Sequence, residues 1–347
     1  ENNIIIVSAD GYFQYFNKFE LDDDNFKSKI IKSNLKEIIK YKEFYTNSKY
    51  GIKDLYIMNN YIYISYIKKV NGKCFNTSIL KAEINYDRLI FRDYFSPTEC
   101  ISPDIKWFQP HSSGGRMFKF KDKIIFSTGE FLDRSKAQDI NSVFGKILML
   151  DPNQKNKNSF EIISLGHRNV QGLFFDDVNS TIISSEHGPQ GGDEININDL
   201  KNGINNYGWP ISSYGEHYGF KKRDNSQDVY KIAPLKKSHA EFGFIEPLKY
   251  FVPSIGISQI VKVDDNIISE DNKKLLIFGA LGNKPSEGDM SIHFMFTDKD
   301  YTKIYNHSFF DINNRIRDLI ILDKNKILFT LETSGTLGLL NLPNEIK

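Results

Sequence analysis

The sequence predicts an all-β chain, a six-bladed β-propeller of four-stranded antiparallel blades, and three observations carry that expectation. Tyr (18) and Phe (27) are abundant among the 347 residues and, with Ile, favour strands. One pattern recurs along the chain: an apolar strand, a short Asp/Asn/Lys turn, and a second strand ending in small or polar residues. Its six copies begin near Asn2, Leu55, Met117, Leu173, Lys274 and Leu319. They lie roughly 50–60 residues apart except for one much longer gap, the period of propeller blades.

The first copy, "NNIIIVSADGYFQYF" from Asn2, reads as the remnant of a unit. The following "FKSKIIKSNLKEIIKYKEF" is either a short helix or a solvated connection. "LYIMNNYIYISYI" from Leu55, "MFKFKDKIIFSTGE" from Met117 and "LFFDDVNSTIISSEHG" from Leu173 each supply two strands and a turn. "KLLIFGAL" from Lys274 keeps only the second strand, and "LIILDKNKILFTLET" from Leu319 is the last copy. The long gap, between Gly188 and Lys274, is rich in Gly, Tyr, Lys and His. It predicts an insertion at about 189–273 within a single domain spanning 1–347, and insertions of that length in compact domains are usually functional. The part from Glu216 to Glu246 carries no interpretable motif.

Hydrophobic residues make up 40% of the chain, ample for a buried core. Lys and Arg (45) nearly balance Asp and Glu (44) and are interspersed with them, so a basic nucleic-acid footprint is absent. No apolar run approaches the length of a bilayer span. The chain starts at Glu1, consistent with a removed leader. Cys74 and Cys100 are either two unpaired core thiols or one disulfide between neighbouring strands, and the second reading implies an oxidising compartment.

Polar clusters sit at the ends of the repeats, where the loops of a propeller converge on its axis. His111 precedes "GGRMFKF", Glu130 ends "IIFSTGE", and His167, Arg168 and Asn169 precede "QGLFF". Gly188 and Pro189 end "IISSEHGP", and Arg315 and Arg317 precede "DLII". This is a candidate base, a carboxylate to orient it, three arginines and exposed carbonyls. Guanidinium groups pair bidentately with carboxylates, so gathered arginines suit a multiply anionic planar ligand. Unshielded Gly and Pro carbonyls suit a hard cation such as calcium. Taken singly, each residue has a plainer reading. His111 could be a structural histidine, Arg315 and Arg317 surface partners of carboxylates, "GGDE" a glycine-rich turn and "NYGWP" a packed aromatic corner.

"GHRNVQGL", "SEHGPQGGDEIN", "NNYGWP" and "RIRDL", in this order, resemble the soluble glucose/sorbosone dehydrogenases, and more closely the bacterial aldose sugar dehydrogenases that use pyrroloquinoline quinone (PQQ). "GGRMFKFKDKIIFSTGE", "AQD" at Ala137 and "GKILMLDP" at Gly145 fit as well. The resemblance covers roughly Gly51 to Leu342. It implies oxidation of an aldose to its lactone in the periplasm or outside the cell, by a monomer or homodimer that hands electrons to a separate acceptor. Arg168 and Asn169 would contact the quinone, Ser254 in "VPSIG" would add a hydroxyl, and Arg315 and Arg317 would pair with its carboxylates. The main-chain oxygens of Gly188 and Pro189 would ligate a calcium that also binds the cofactor. Glu194 and Tyr207 match ligands of a second, structural calcium. His111 would be the general base, oriented by Glu130. The chain departs from the usual pattern in the extra residue of "HSSGGR", in Lys49 where many members have Gln, and in Glu130 where Asp is usual. Lys284 is a candidate for a fifth-blade lysine. The competing expectation is a non-catalytic propeller, calcium-stabilised or not, that binds a glycan or a protein. The set His111, Arg168, Asn169, Arg315 and Arg317 discriminates, because a pure binding module has no reason to assemble it.

Overall fold

A computed structural model describes residues 2–21, 27–153, 155–219, 225–270 and 272–346. Six small, mainly antiparallel sheets give a six-bladed β-propeller. The first sheet orders Asn3–Val7, Phe13–Asn17, Lys29–Ser33 and Arg88–Leu89; the second orders Ile52–Met58, Tyr61–Val70, Cys74–Glu83 and Arg92–Phe95. A five-stranded sheet runs Asn205–Asn206, Glu161–Leu165, Lys146–Leu150, Lys123–Thr128, Gly114–Phe120. The fourth orders Val170–Asp176, Thr181–Glu186, Asp193–Asp199 and Lys249–Phe251. The fifth orders Ile257–Lys262, Lys273–Ala280, Ser291–Asp298 and Ile304–Asp311, and the last Ile316–Asp323, Lys326–Leu331 and Thr336–Asn341.

Each repeat read from the sequence corresponds to one sheet, with differences in detail. The last sheet has three strands among the described residues, and two outer strands pair in parallel, Lys29–Ser33 with Arg88–Leu89 and Glu161–Leu165 with Asn205–Asn206. The unit at Lys274 has a first strand after all, Ile257–Lys262, separated from its partner by ten residues. That strand and Lys249–Phe251 occupy the end of the long gap; among the described residues of the remaining connection, 200–248, there are the short strand Asn205–Asn206, one short α-helix, Asp228–Ile232, and two single 3-10 turns, Leu200–Asn202 and Ala240–Phe242. Residues 220–224 of the 189–273 insertion, and residue 271, lie outside the described residues.

The chain divides into two compact units, Glu1–Asp133 with Leu148–Glu161 and Arg134–Ile147 with Ile162–Lys347. In the first, Asn59 and Asn60 have φ of 49° and 65° and join Met58 directly to its partner Tyr61. Asn tolerates this left-handed backbone, which matches the twist of paired strands in a two-residue turn. The stretch after Phe26 is neither one helix nor a plain connection. Its alternation makes the strand Lys29–Ser33, with Ile31 inward and Ile30 outward, and two short helices follow, Leu35–Ile38 and Glu43–Thr46. Leu35, Ile39 and Phe44 pack against Phe13, Ile52 and Tyr66 in one apolar cluster. Cys74 and Cys100 form a disulfide, Cα atoms 5.5 Å apart.

In the second unit, Lys146 is fully buried and its ammonium donates to three main-chain oxygens, Phe144 (2.7 Å), Lys136 (2.9 Å) and Ala137 (3.1 Å). Gln138 of "AQD" holds the "NNYGWP" loop through Asn206 and the carbonyl of Trp209 (2.7 Å). Gln138 is therefore a brace for the loop that follows the fourth sheet's strand Asp193–Asp199, and Lys146 holds the segment that carries Gln138. In the fifth sheet, His293 donates from Nε2 to the carbonyl of Gly288 (2.7 Å), which leaves Nδ1 to accept from Nε2 of His307 (3.0 Å). The two rings stack with Phe278.

Burial pushes both histidines down to about 4, helped at His293 by His307 and at His307 by Lys249. Both rings are thus neutral in the fold but take protons near pH 6.5 when unfolded. The unfolded chain binds more protons between these values, so stability is retained above about pH 6.5 and is lost as pH falls toward 4. The loss is larger from the buried His293 than from the half-buried His307, whose charge solvent screens in part. Denaturant midpoints at pH 7 and pH 5 should differ for the parent chain, and His307→Gln should flatten that difference.

Candidate functional site

In the first unit, His111 lies exposed in the turn before Gly114–Phe120, while Glu130 is fully buried just after Lys123–Thr128. Main-chain bonds tie the two segments together: Phe131 N to Ser112 O (2.8 Å) and Gln109 N to Phe131 O (3.0 Å). Gly129 lets them approach, since a Cβ there would sit 2.3 Å from the Ser112 carbonyl. Phe108 and Phe131 stack beside this tie with ring centroids 5.8 Å apart. Gly114 and Gly115 of "HSSGGR" both have positive φ. Lys49 is exposed on a short turn, where its carbonyl accepts from Lys53 Nζ (2.7 Å).

The second unit contains the hairpin of Val170–Asp176 and Thr181–Glu186, and Glu186 at its end explains the polar residues that precede it. Its carboxylate lies 2.9 Å from His167 Nδ1 and accepts from Arg168 N (2.8 Å) and Asn196 Nδ2 (2.8 Å). His167 Nε2 lies 2.8 Å from Ser164 Oγ. Burial opposes the charge on Glu186, but His167 and these hydrogen bonds outweigh it and hold the carboxyl below the usual range. His187 N donates to Asn169 O (3.0 Å), and Arg168 reaches back to the His187 carbonyl (2.9 Å) with its guanidinium over the Trp209 ring.

From there a polar chain leads to another sheet. Gln171 Nε2 donates to Asn169 Oδ1 (3.1 Å), and Arg317 donates to Gln171 Oε1 (3.2 Å). Arg317 and Arg315 both pair with Glu332, through Nε at 2.6 and 3.3 Å, and Arg315 also reaches the Leu281 carbonyl. Burial works against the charge of Glu332, yet the two arginines hold its carboxyl below the usual range. Lys284 is exposed and pairs with Glu287 (3.2 Å).

Next to this chain, Asp193 takes three main-chain N–H groups: Gly188 (3.0 Å), Gly256 (2.7 Å) and Ile257 (3.0 Å). It fixes the Gly188–Pro189 turn against the loop carrying Ser254, whose hydroxyl lies 3.4 Å from the Pro189 carbonyl. Gly188 has no room for a side chain, because a Cβ would meet the Gly192 carbonyl at 2.0 Å. Glu194 and Tyr207, elsewhere in the unit, meet at His239. Its Nδ1 lies 3.0 Å from the Tyr207 carbonyl and its Nε2 3.3 Å from Glu194 Oε1. Burial pushes Glu194 up; burial opposes charge on His239, but Glu194 outweighs it and raises the ring's affinity for a proton.

The residues suit an acidic, acceptor-rich group. Arg168 Nε and His187 Nε2 are buried and have no hydrogen-bond partner among the described residues. Burial pushes His187 down and both Arg317 and Arg168 reinforce this, against Asp193, so the ring is neutral at pH 7. Gly188 and Pro189 offer two uncharged oxygens of the kind calcium takes as part of a larger shell, which fits a site that an anionic cofactor completes. Among the described residues no group of three or more His, Cys, Asp or Glu is arranged to hold a metal by itself.

The Glucose / Sorbosone dehydrogenase family matches residues 29–339. The chain belongs to that family. The aldose sugar dehydrogenase YliI of Escherichia coli (strain K12) is 32% identical over 185 residues, 50% of this chain and 46% of that protein. The chain spans about half the length of the curated relatives it matches. The soluble aldose sugar dehydrogenase of Escherichia coli in its apo form superposes with a TM-score of 0.70 at 21% identity, over 98% of this chain and 92% of that one. The PQQ-bound aldose sugar dehydrogenase of Streptomyces coelicolor does so with a TM-score of 0.62 at 18% identity, over 97% and 90%. These superpositions show the shared fold.

Arg168, Asn169, Gly188, Pro189, Ser254, Arg315 and Arg317 are expectations from the sequence, and the side chains that hold them in place were not among those expectations. Glu186, Asp193 and Gln171 lie within the quoted motifs, and that membership was the available signal. Glu332 carried no signal, since it meets the arginines only through strand pairing. Asp193→Ala should strand three main-chain donors and lower stability by roughly 2 kcal/mol or more, read as a shifted denaturant midpoint at unchanged slope. Asp193→Asn, which retains an acceptor, should cost less.

Proposed function

We propose that this chain oxidises an aldose to its lactone with PQQ as cofactor and passes the electrons to a separate acceptor. The observation that carries the reading is the hydrogen-bonded set Arg168, His187, Asn169, Gln171 and Arg317, drawn from two sheets and edged by buried donors that lack an acceptor. Membership of the family and the PQQ-bound relative support the choice of cofactor. Arg168, Asn169, Ser254, Arg315 and Arg317 would hold the cofactor, and Gly188 and Pro189 would ligate a calcium beside it. Bound there, the quinone supplies a two-electron acceptor for the sugar's hydride and the ion a Lewis acid.

Oxidation of the anomeric carbon breaks its C–H bond and the O–H of its hydroxyl and forms the lactone C=O. His111 takes the hydroxyl proton as general base, and Glu130 orients its ring. Arg168 adds positive charge where negative charge develops, and its own geometry is fixed through the His187 carbonyl and the Trp209 ring. Residues 1–347 act as one propeller domain in this reading, as a monomer or homodimer. The Cys74–Cys100 disulfide supports a periplasmic or secreted location. Among the described residues no helix is long and apolar enough to cross a membrane, which says nothing of strands.

Titration of the chain with PQQ and calcium, followed by dye reduction with a panel of aldoses, tests the proposal. Arg317→Ala should weaken PQQ binding about ten- to a hundred-fold, the worth of a charge-assisted hydrogen bond, and excess PQQ should restore much of the turnover. His111→Ala should leave PQQ binding nearly unchanged and lower saturated turnover about a hundred- to ten-thousand-fold. Failure to bind PQQ would leave the glycan- or protein-binding module as the better account.

A further inference from the structure

The resemblance places a second, structural calcium at Glu194 and Tyr207, and the geometry of this chain does not fit it. The Tyr207 hydroxyl is given to the Ile197 carbonyl (2.7 Å), which leaves the main-chain oxygen of Tyr207 to be weighed beside Glu194. The two oxygens lie against opposite nitrogens of one imidazole, Tyr207 O at 3.0 Å from His239 Nδ1 and Glu194 Oε1 at 3.3 Å from Nε2. The two nitrogens of an imidazole point in diverging directions, so the oxygens face each other across the ring. Calcium needs its oxygens converging on one point at about 2.3–2.6 Å. The ring cannot step aside cheaply. His239 is 1% exposed, its main-chain N–H is held by Glu246 (2.8 Å), and its face stacks on Tyr214 with centroids 5.4 Å apart. The Tyr214 hydroxyl is held by the same Glu246 carboxylate (2.8 Å).

We infer that His239 takes the place of the structural ion in this chain, cross-linking Glu194 to the Tyr207 main chain as a side-chain substitute for calcium. The carbonyl of Tyr207 can only accept, so Nδ1 donates to it, while Nε2 faces Glu194 Oε1 at 3.3 Å as an ion-pair contact rather than an aligned hydrogen bond. The second Glu194 oxygen faces Asn196 Nδ2 (3.3 Å), which also donates to Glu186 (2.8 Å). Each of the two buried carboxylates therefore has its own imidazole, Glu186 with His167 and Glu194 with His239, and Tyr207 joins them by stacking its ring on His167 (4.8 Å).

The test uses the chain without quinone, so that it stands or falls independently of the proposed activity. Protein purified without added calcium is assayed for metal by mass spectrometry, and its Tm is measured with chelator and with added calcium chloride. We expect no stoichiometric calcium and a Tm that neither treatment moves. His239→Ala should lower that Tm by roughly 5–10 °C, since it breaks a buried pair. One calcium per chain, lost together with several degrees of Tm on chelation and absent from Glu194→Gln, would overturn the inference. So would a His239→Ala chain as stable as its parent. If that variant does not fold, the metal content and chelator response of the parent chain decide alone.

Discussion

The buried carboxylate of Glu186 is the constraint on which the candidate site depends. It stands at the end of one hairpin strand and binds the residues that enter the other, taking the imidazole of His167 and the main-chain N–H of Arg168. A carboxylate in that position costs free energy unless every lone pair is met. Its three donors therefore fix the entry of the hairpin in one arrangement. Arg168, Asn169 and His187 follow from it, because each is one or two residues from an atom that Glu186 holds and they bind one another through main-chain groups. The glycine-rich turn that comes next is fixed separately, by Asp193. The two acids divide the work: one places the cations and amides, the other places the carbonyls.

Much of this was legible in the sequence because strand alternation and turn chemistry are local. The six repeats mapped onto six sheets, and Asn59–Asn60 announced its turn by residue type alone. The first strand of the fifth sheet, Ile257–Lys262, escaped because a ten-residue link replaces the short turn that marks the other hairpins. The strand Lys29–Ser33 escaped because its apolar residues run straight into helical spacing at Leu35 and Ile38. Partners such as Glu332 for the arginines, or His239 for Glu194, were illegible for a different reason. Such pairs are set by which strands and loops lie side by side, and a single sequence does not display that.

The same distinction separates the parts of the site. Side chains before a strand could be assigned from motif order, since the motif fixes both the residue and its position relative to the sheet. Charge balance could not. A sequence with Lys and Arg nearly equal to Asp and Glu gives no hint that two of its acids are matched to buried imidazoles, or that Lys146 spends its charge on three carbonyls. Such side chains are part of the chain and hold loops together from within it.

The shared grip of Arg315 and Arg317 on Glu332 has a consequence for how an acidic ligand would enter. The arginines are not a bare positive patch waiting for an anion; they carry a resident carboxylate. An incoming acid would displace it from the guanidinium groups, and because Glu332 already offsets part of their charge, the field that draws an anion in is weaker. Arrival there would depend less on ionic strength than a cluster of three arginines suggests. Selectivity would follow from shape, since a small mobile anion offers the arginines no more than Glu332 already does. A rigid ligand bearing several acids at fixed spacing could satisfy both guanidinium groups and Arg168 together, and only such a ligand would gain by the exchange.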